Sequence, residues 1–235
     1  QWAFIPNSAI TENLKNYTNP DYEHRYFVDG ELTVADVYFS GAWHAVLVGS
    51  LGRGGRALFA LDVSDPAKPV LLWEKSSDAI PSLGNNIGKP IIAQVAEGDW
   101  RVLVGNGPNS NSDVASLITV SLPSGNVESI STNVGGDNGL AAVGSWDSGL
   151  PMDGLADTVY AGDLKGNVWR FSELGSSSPK VEKLFAGNGQ PITSAPYVTR
   201  NSATDDTWVF IGTGQYLNQD DLQDLSTQTW FGLID

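Results

Sequence analysis

Four times along the chain a run of β-branched and apolar residues ends on glycine: Val46-Leu47-Val48-Gly49, Val102-Leu103-Val104-Gly105, Val159-Tyr160-Ala161-Gly162 and Val209-Phe210-Ile211-Gly212. The glycines stand 56, 57 and 50 residues apart, and periods near 50 belong to propeller blades and similar arrays. Upstream of each run, small and β-branched residues alternate over 29–37, 88–95, 139–146 and 190–199. Past a polar turn, a second alternating run covers 57–63, 115–122, 167–171 and 229–234, and three units close with 70–74, 127–130 and 181–185. The pattern predicts antiparallel meanders of four strands, each about five to six residues long.

The fold class that follows is all-β, a β-propeller of about four four-stranded blade units near 26–76, 86–133, 138–187 and 190–235. Residues 1–5, Gln-Trp-Ala-Phe-Ile, read as an extra outer strand with no blade of their own, while the fourth unit stops before its last strand. That offset suits a single propeller domain over 1–235 whose last blade draws on both chain ends. It equally suits a segment of a longer propeller. Helical signals are short: a turn N-capped by Asn7 or Ser8 running to Lys15, with Glu12 near the capping-box position, and one turn within 219–225. The Ser/Asn/Gly/Asp-rich stretches 107–113, 175–179 and 201–206 read as exposed loops.

Composition agrees with strands and tight turns. Charged residues make up 17% of the chain and 26 of 235 residues are glycine, against usual values of roughly 25% and 7%. The net charge of −14 opposes a phosphate backbone, and Arg53 and Arg56 are the nearest approach to a basic cluster, so nucleic acid is not an expected partner. The absence of cysteine removes disulfides, thiolate metal sites and Cys nucleophiles. No apolar run approaches the roughly 18 residues of a membrane span. The first residues carry neither a basic signal region nor a starting Met, and the chain reads as an excised or processed piece of something longer.

Candidate chemistry is sparse, and no catalytic residue is expected. His24, in Tyr22-Glu23-His24-Arg25-Tyr26, and His44, in a strand, lack a nucleophile elbow and read as packed or surface histidines. Asp62 and Asp163 lie at matching places beside central strands, where a carboxylate caps turn amides more readily than it serves as acid or base. The glycine-rich segment 49–55 is no phosphate loop, since neither Gly-Lys-Ser/Thr nor a helix follows. One metal candidate remains, Asp147, Asp153 and Asp157 with the Leu155 carbonyl. With Gly154 at the sixth place of a calcium loop, Asp153 takes the fifth, Leu155 the seventh and Asp157 the ninth. Gly149 and Pro151 then fall where side-chain ligands belong, so binding is expected to be weak or absent.

The run His24-Arg25-Tyr26-Phe27-Val28-Asp29-Gly30, Gly54-Gly55 through Phe59-Ala60-Leu61-Asp62-Val63, Val102 to Asn106-Gly107 with Asn109-Ser110, Val159-Tyr160-Ala161-Gly162-Asp163 to Trp169-Arg170-Phe171, Ile192-Thr193-Ser194-Ala195-Pro196 and Gly212-Thr213-Gly214-Gln215-Tyr216 closely resembles the C-terminal β-propeller of the PilC/PilY family, type IV pilus tip-associated adhesion and biogenesis proteins. The resemblance covers nearly the whole chain in order. It implies quinoprotein-like blades in a secreted bacterial protein at the cell surface, pilus tip or outer membrane. The implied role is non-enzymatic: supporting pilus extension by opposing retraction, with a part in surface attachment and twitching motility. The implied partners are minor pilin subunits and a host or surface ligand. Several members carry an Asp-x-Asp-x-Asp-Gly-x-x-Asp calcium loop just before the Val-Tyr-Ala-Gly strand; here only the second half, Asp153-Gly154-Leu155-Ala156-Asp157, matches. The alternative is a propeller enzyme fragment of quinoprotein type, which would need Ca²⁺ in the funnel and a catalytic Asp facing it. No quinone is expected.

Overall fold

The computed structural model describes residues 2–149 and 151–235, with backbone alone at Glu12 and Asn13. Among the described residues fifteen strands form four antiparallel sheets in simple meander order. The first holds β1 (Leu32–Phe39), β2 (Ala42–Ser50), β3 (Ala57–Asp62) and β4 (Val70–Ser76), and the second β5 (Ile91–Ala96), β6 (Asp99–Gly105), β7 (Ser116–Leu122) and β8 (Val127–Ser131). The third holds β9 (Leu140–Trp146), β10 (Thr158–Asp163), β11 (Val168–Ser172) and β12 (Lys180–Phe185). β13 (Tyr197–Arg200), β14 (Thr207–Gly212) and β15 (Trp230–Ile234) make a three-stranded fourth sheet. These are the four blades that the glycine-terminated runs predict, and each run is the second strand of its blade.

The second strands read as continuous apolar runs because both faces of an inner blade are buried. In β6, Val102 and Val104 join the core with Val37, Val46, Val48, Leu58 and Trp73 of the first blade. Leu103 points the other way, into the core with Val159, Ala161, Trp169 and Phe171 of the third blade. Val168, Ile192 and Ile211 with Phe231 and Leu233 close the contact between the third and fourth blades. The far face of the fourth blade carries a ladder, Trp208 stacked on Phe210 at 5.7 Å and Phe210 on Trp230 at 5.1 Å, beside an exposed Tyr197. The β1–β2 hairpin turns on Ser40-Gly41, both at positive φ, the geometry that a two-residue turn needs to follow strand twist.

Two expectations for the ends need correction. Residues 2–5 form no strand, and Gln1 lies outside the described residues. Phe4 instead lays its ring on Phe59 at 5.2 Å, and the Trp2 indole donates to the Pro66 carbonyl at 2.7 Å. Pro6 has no amide to continue a ladder. The turn that follows, Asn7–Ala9, has Pro6 as N-cap with no side-chain cap. Its cap comes from the distant Glu74 carboxylate, which accepts from the Asn7 and Ser8 amides at 2.8 and 2.6 Å. A separate helical turn, Glu12–Lys15, follows. Near the other end a 3-10 turn, Gln219–Gln223, starts from a reciprocal cap between Asn218 and Asp221. Among the described residues β15 pairs with β14 alone.

Candidate functional site

Asp147 follows β9 and Asp157 precedes β10, and the pairing of Trp146 with Thr158 brings them face to face where the hairpin opens. The loop is braced by its own carboxylates. Asp147 accepts from the Gly149 amide at 3.0 Å and the Gly154 amide at 2.7 Å. Asp153 accepts from the Leu155 amide at 3.0 Å, and Asp157 accepts from the Ser148 amide and hydroxyl, both at 2.8 Å. From the fourth blade, Arg200 donates to the Ser148 carbonyl at 2.7 Å, while Leu155 forms a parallel bridge with Gln94 of the second. Leu150 lies outside the described residues. Among the described residues no three His, Cys, Asp or Glu side chains gather into a metal-holding group, and the three carboxylates are engaged by loop amides.

The histidines divide. His24 stands edge-on to Tyr26 in an exposed segment, whereas His44 is stacked on Phe39 at 3.8 Å with Nδ1 2.7 Å from Asp62. Asp62 also accepts from the Ser64 amide at 2.9 Å and hydroxyl at 2.6 Å. Burial raises the Asp62 carboxyl, but the Ser64 hydroxyl and amide and the His44 ring outweigh it and hold Asp62 below its usual range. A carboxyl depressed in the folded state stabilises the fold above its unfolded value, about 4, and loses that contribution as pH falls through the folded value. The stability gap between the parent and Asp62→Asn is therefore expected to be present above about pH 4 and to close as the pH falls below it, read from urea midpoints across pH.

Asp163 is fully buried and capped by five donors. These are the Lys165 and Asn167 amides, both at 2.9 Å, the Trp169 indole at 2.8 Å, and the side-chain amides of Asn138 at 3.1 Å and Asn167 at 2.9 Å. Every contact is a protein donor, which makes it a structural knot.

Three buried polar residues escape a reading by strand pattern alone. Asn86 donates to the Gly105 carbonyl at 3.0 Å and accepts from Ser50 at 3.2 Å. Asn106 donates to the carbonyls of Ser82 and Val114 at 2.8 and 2.9 Å and accepts from the amides of Ser116 and Leu140 at 3.0 and 2.8 Å. Asn138 spans Asp163 and the Leu164 amide. They tie the first blade to the second and the second to the third. The polar residue directly after the repeat glycine marks Asn106 itself and the partners of the other two, Ser50 for Asn86 and Asp163 for Asn138.

The strand ends that these ties gather make one face of the molecule, crossed by residues 213–229 between β14 and β15. Arg53 donates to the Tyr216 carbonyl at 3.0 Å with its guanidinium 5.8 Å from the centre of the Tyr216 ring. Under this crossing lies a cavity of about 260 Å³, walled by Asp29, Glu31, Arg53, Asn86, Thr193 and Tyr216 among others. Leu217 separates it from a second cavity of about 400 Å³ that reaches Asn109, Asp137 and Leu164. The glycine-rich segment supplies Gly52 and Arg53 to this wall from a 3-10 turn, Gly52–Gly54.

The model of the PilY1 beta-propeller domain matches residues 2–184. A type IV pilus biogenesis factor PilY1 homolog of Xylella fastidiosa is 45% identical over 239 residues, covering 100% of this chain and 19% of its own length. Type IV pilus biogenesis factor PilY1 of Pseudomonas aeruginosa strain PAO1 is 39% identical over 269 residues, again over 100% of this chain and 23% of its own length. The crystal structure of the Pseudomonas aeruginosa PilY1 C-terminal domain superposes with a TM-score of 0.84 at 36% identity, covering 100% of this chain and 53% of that one. The chain spans about a fifth of the length of these curated relatives.

Proposed function

The chain belongs to the PilY1 β-propeller family, and from that membership we propose that it is a non-enzymatic propeller module of a type IV pilus biogenesis factor, working at the cell surface or pilus tip. It contacts minor pilin subunits, supports extension by opposing retraction, and contributes to attachment and twitching motility. The observation that carries this reading is identity of 45% and 39% across the whole of the chain with proteins named as pilus biogenesis factors. The stacked Trp208–Phe210–Trp230 ladder and exposed Tyr197 support a contact role, since buried aromatic anchors dominate protein interfaces. Among the described residues no helix is long and apolar enough to cross a membrane.

The test is genetic. Removing this propeller from the full-length protein is expected to strip surface pili from cells that can retract them and to leave pili on cells that cannot. Equal loss in both backgrounds would place the module in assembly and refute opposition to retraction. Unchanged piliation in both would refute the pilus role. An absorbance spectrum of the purified protein with a bound-quinone band would instead favour the enzyme alternative.

The 147–157 loop is proposed to bind Ca²⁺ no more tightly than millimolar, because its carboxylates already satisfy loop amides. Calorimetric titration is expected to give the same weak response in the parent, Asp153→Ala and Asp157→Ala. Micromolar binding abolished by either substitution would overturn this.

A further inference from the structure

Asn-Gly is the dipeptide at which a backbone amide most readily attacks the preceding side chain, because glycine puts no Cβ beside the attacking nitrogen. The chain holds it three times, at Asn106-Gly107, Asn138-Gly139 and Asn188-Gly189, and the fold treats the three differently. Asn106 and Asn138 are buried, and each side-chain NH₂ donates to two acceptors. The Gly107 amide donates to the Leu140 carbonyl at 2.9 Å, and the Gly139 amide to the Asn138 side-chain oxygen at 3.0 Å. Backbone clamps both glycines: a Cβ would sit 1.9 Å from the Asn85 carbonyl oxygen at Gly107 and 2.2 Å from the Gly107 carbonyl oxygen at Gly139. Asn188 and Gly189 are instead exposed, on the link between β12 and β13. Nothing lies within 4 Å of a Cβ built at Gly189. Its amide donates to no group among the described residues, and the Asn188 side chain only accepts, from the Gln190 amide at 3.4 Å.

We propose that Asn188 is a site of spontaneous covalent modification, deamidation with isomerisation of the main chain, in which water is the one co-reactant. The Gly189 nitrogen bonds to Asn188 Cγ as the Cγ–Nδ2 bond breaks. The proton lost from the Gly189 amide passes through water to the leaving NH₂, which departs as ammonia. Water then opens the cyclic imide at either carbonyl and leaves an aspartate or a β-linked isoaspartate at position 188. Asn106 and Asn138 react only from a locally opened state, so the small population of that state holds their rates down. The consequence falls on the 213–229 crossing. Gln190 secures its far end, donating to the Thr227 carbonyl at 2.5 Å and accepting from the Thr229 hydroxyl at 2.8 Å. Isoaspartate adds a methylene to the main chain two residues before this anchor, and a carboxylate to its surroundings. The crossing therefore loosens as the protein ages. The site does not depend on the pilus reading, since its chemistry is set by the dipeptide and its exposure alone.

The experiment ages the folded full-length protein in mildly alkaline buffer and follows the peptides holding the three dipeptides by mass spectrometry. Isoaspartate is read separately, by enzymatic methyl transfer from labelled S-adenosylmethionine to each isolated peptide. Conversion is expected to be at least tenfold faster at Asn188 than at Asn106 or Asn138, and the three rates to come within a few-fold of one another in urea. Asn188→Gln, whose longer side chain must close a larger ring, is expected to leave its peptide unconverted over the same period. Amides of the 213–229 crossing are expected to exchange hydrogen several-fold faster in the aged parent than in the aged glutamine variant. Equal rates at the three dipeptides in the folded protein, conversion of Asn188 in urea alone, or parent-like conversion of the glutamine variant overturns the proposal. Unchanged exchange overturns the link to the crossing.

Discussion

Asp163→Ala is expected to lower the unfolding free energy by at least about 5 kcal/mol, because each buried donor left without a partner costs about 1–3 kcal/mol and five lose theirs together. The donors come from the β10–β11 turn, from Asn138 on the link between the second and third blades, and from Trp169 in the core. Asp163→Asn keeps one acceptor oxygen but turns an NH₂ toward donors, and is expected to cost about half as much. Urea denaturation at neutral pH measures both. A loss below about 1 kcal/mol for the alanine variant would mean that water replaces the carboxylate and that the knot is not structural.

The second large effect is expected at Gly105→Ala. A Cβ there would sit 1.9 Å from the Ala141 carbonyl oxygen and 2.5 Å from that of Leu140. Both are backbone atoms of β9, whose other side is paired with β10, so neither retreats without parting the second and third blades. Overpacking of this kind costs about 3 kcal/mol. At roughly 2–4 °C per kcal/mol for a chain of this size, the melting temperature is expected to drop by about 6–12 °C. Gly98→Ala, in the turn between β5 and β6, meets nothing within 4 Å and suffers from its φ of +75° alone. It is expected to cost about 1 kcal/mol. Comparable losses at both sites would show that the close approach of blades at Gly105 is not what the glycine serves.

The blade count was legible because period-2 alternation and a repeat glycine are local properties of the chain, and a blade is a local meander. That residues 2–5 are no strand was hidden for the same reason. Gln-Trp-Ala-Phe-Ile has strand composition, yet Phe4 meets Phe59 and Trp2 meets Pro66, partners that composition does not name. Asp147, Asp153 and Asp157 were legible only as carboxylates of one loop. That their oxygens turn to the amides of Gly149, Gly154, Leu155 and Ser148 depends on loop backbone directions that residue spacing does not encode. The cap of the first turn is of the same kind, supplied by Glu74 from the outer strand of a blade rather than by Asn7 or Ser8.

By itself the sequence determined the all-β class, the four meanders and the family, since each is written in short-range pattern and residue order. The tertiary structure alone decided what meets on the shared face. Asn86, Asn106 and Asn138 become ties, and Arg53 reaches Tyr216 across 163 positions of chain. Asp29 and Glu31 are left facing a recess beneath the 213–229 crossing. Those contacts join residues far apart in sequence, and their geometry follows from how the blades pack, which no local pattern contains.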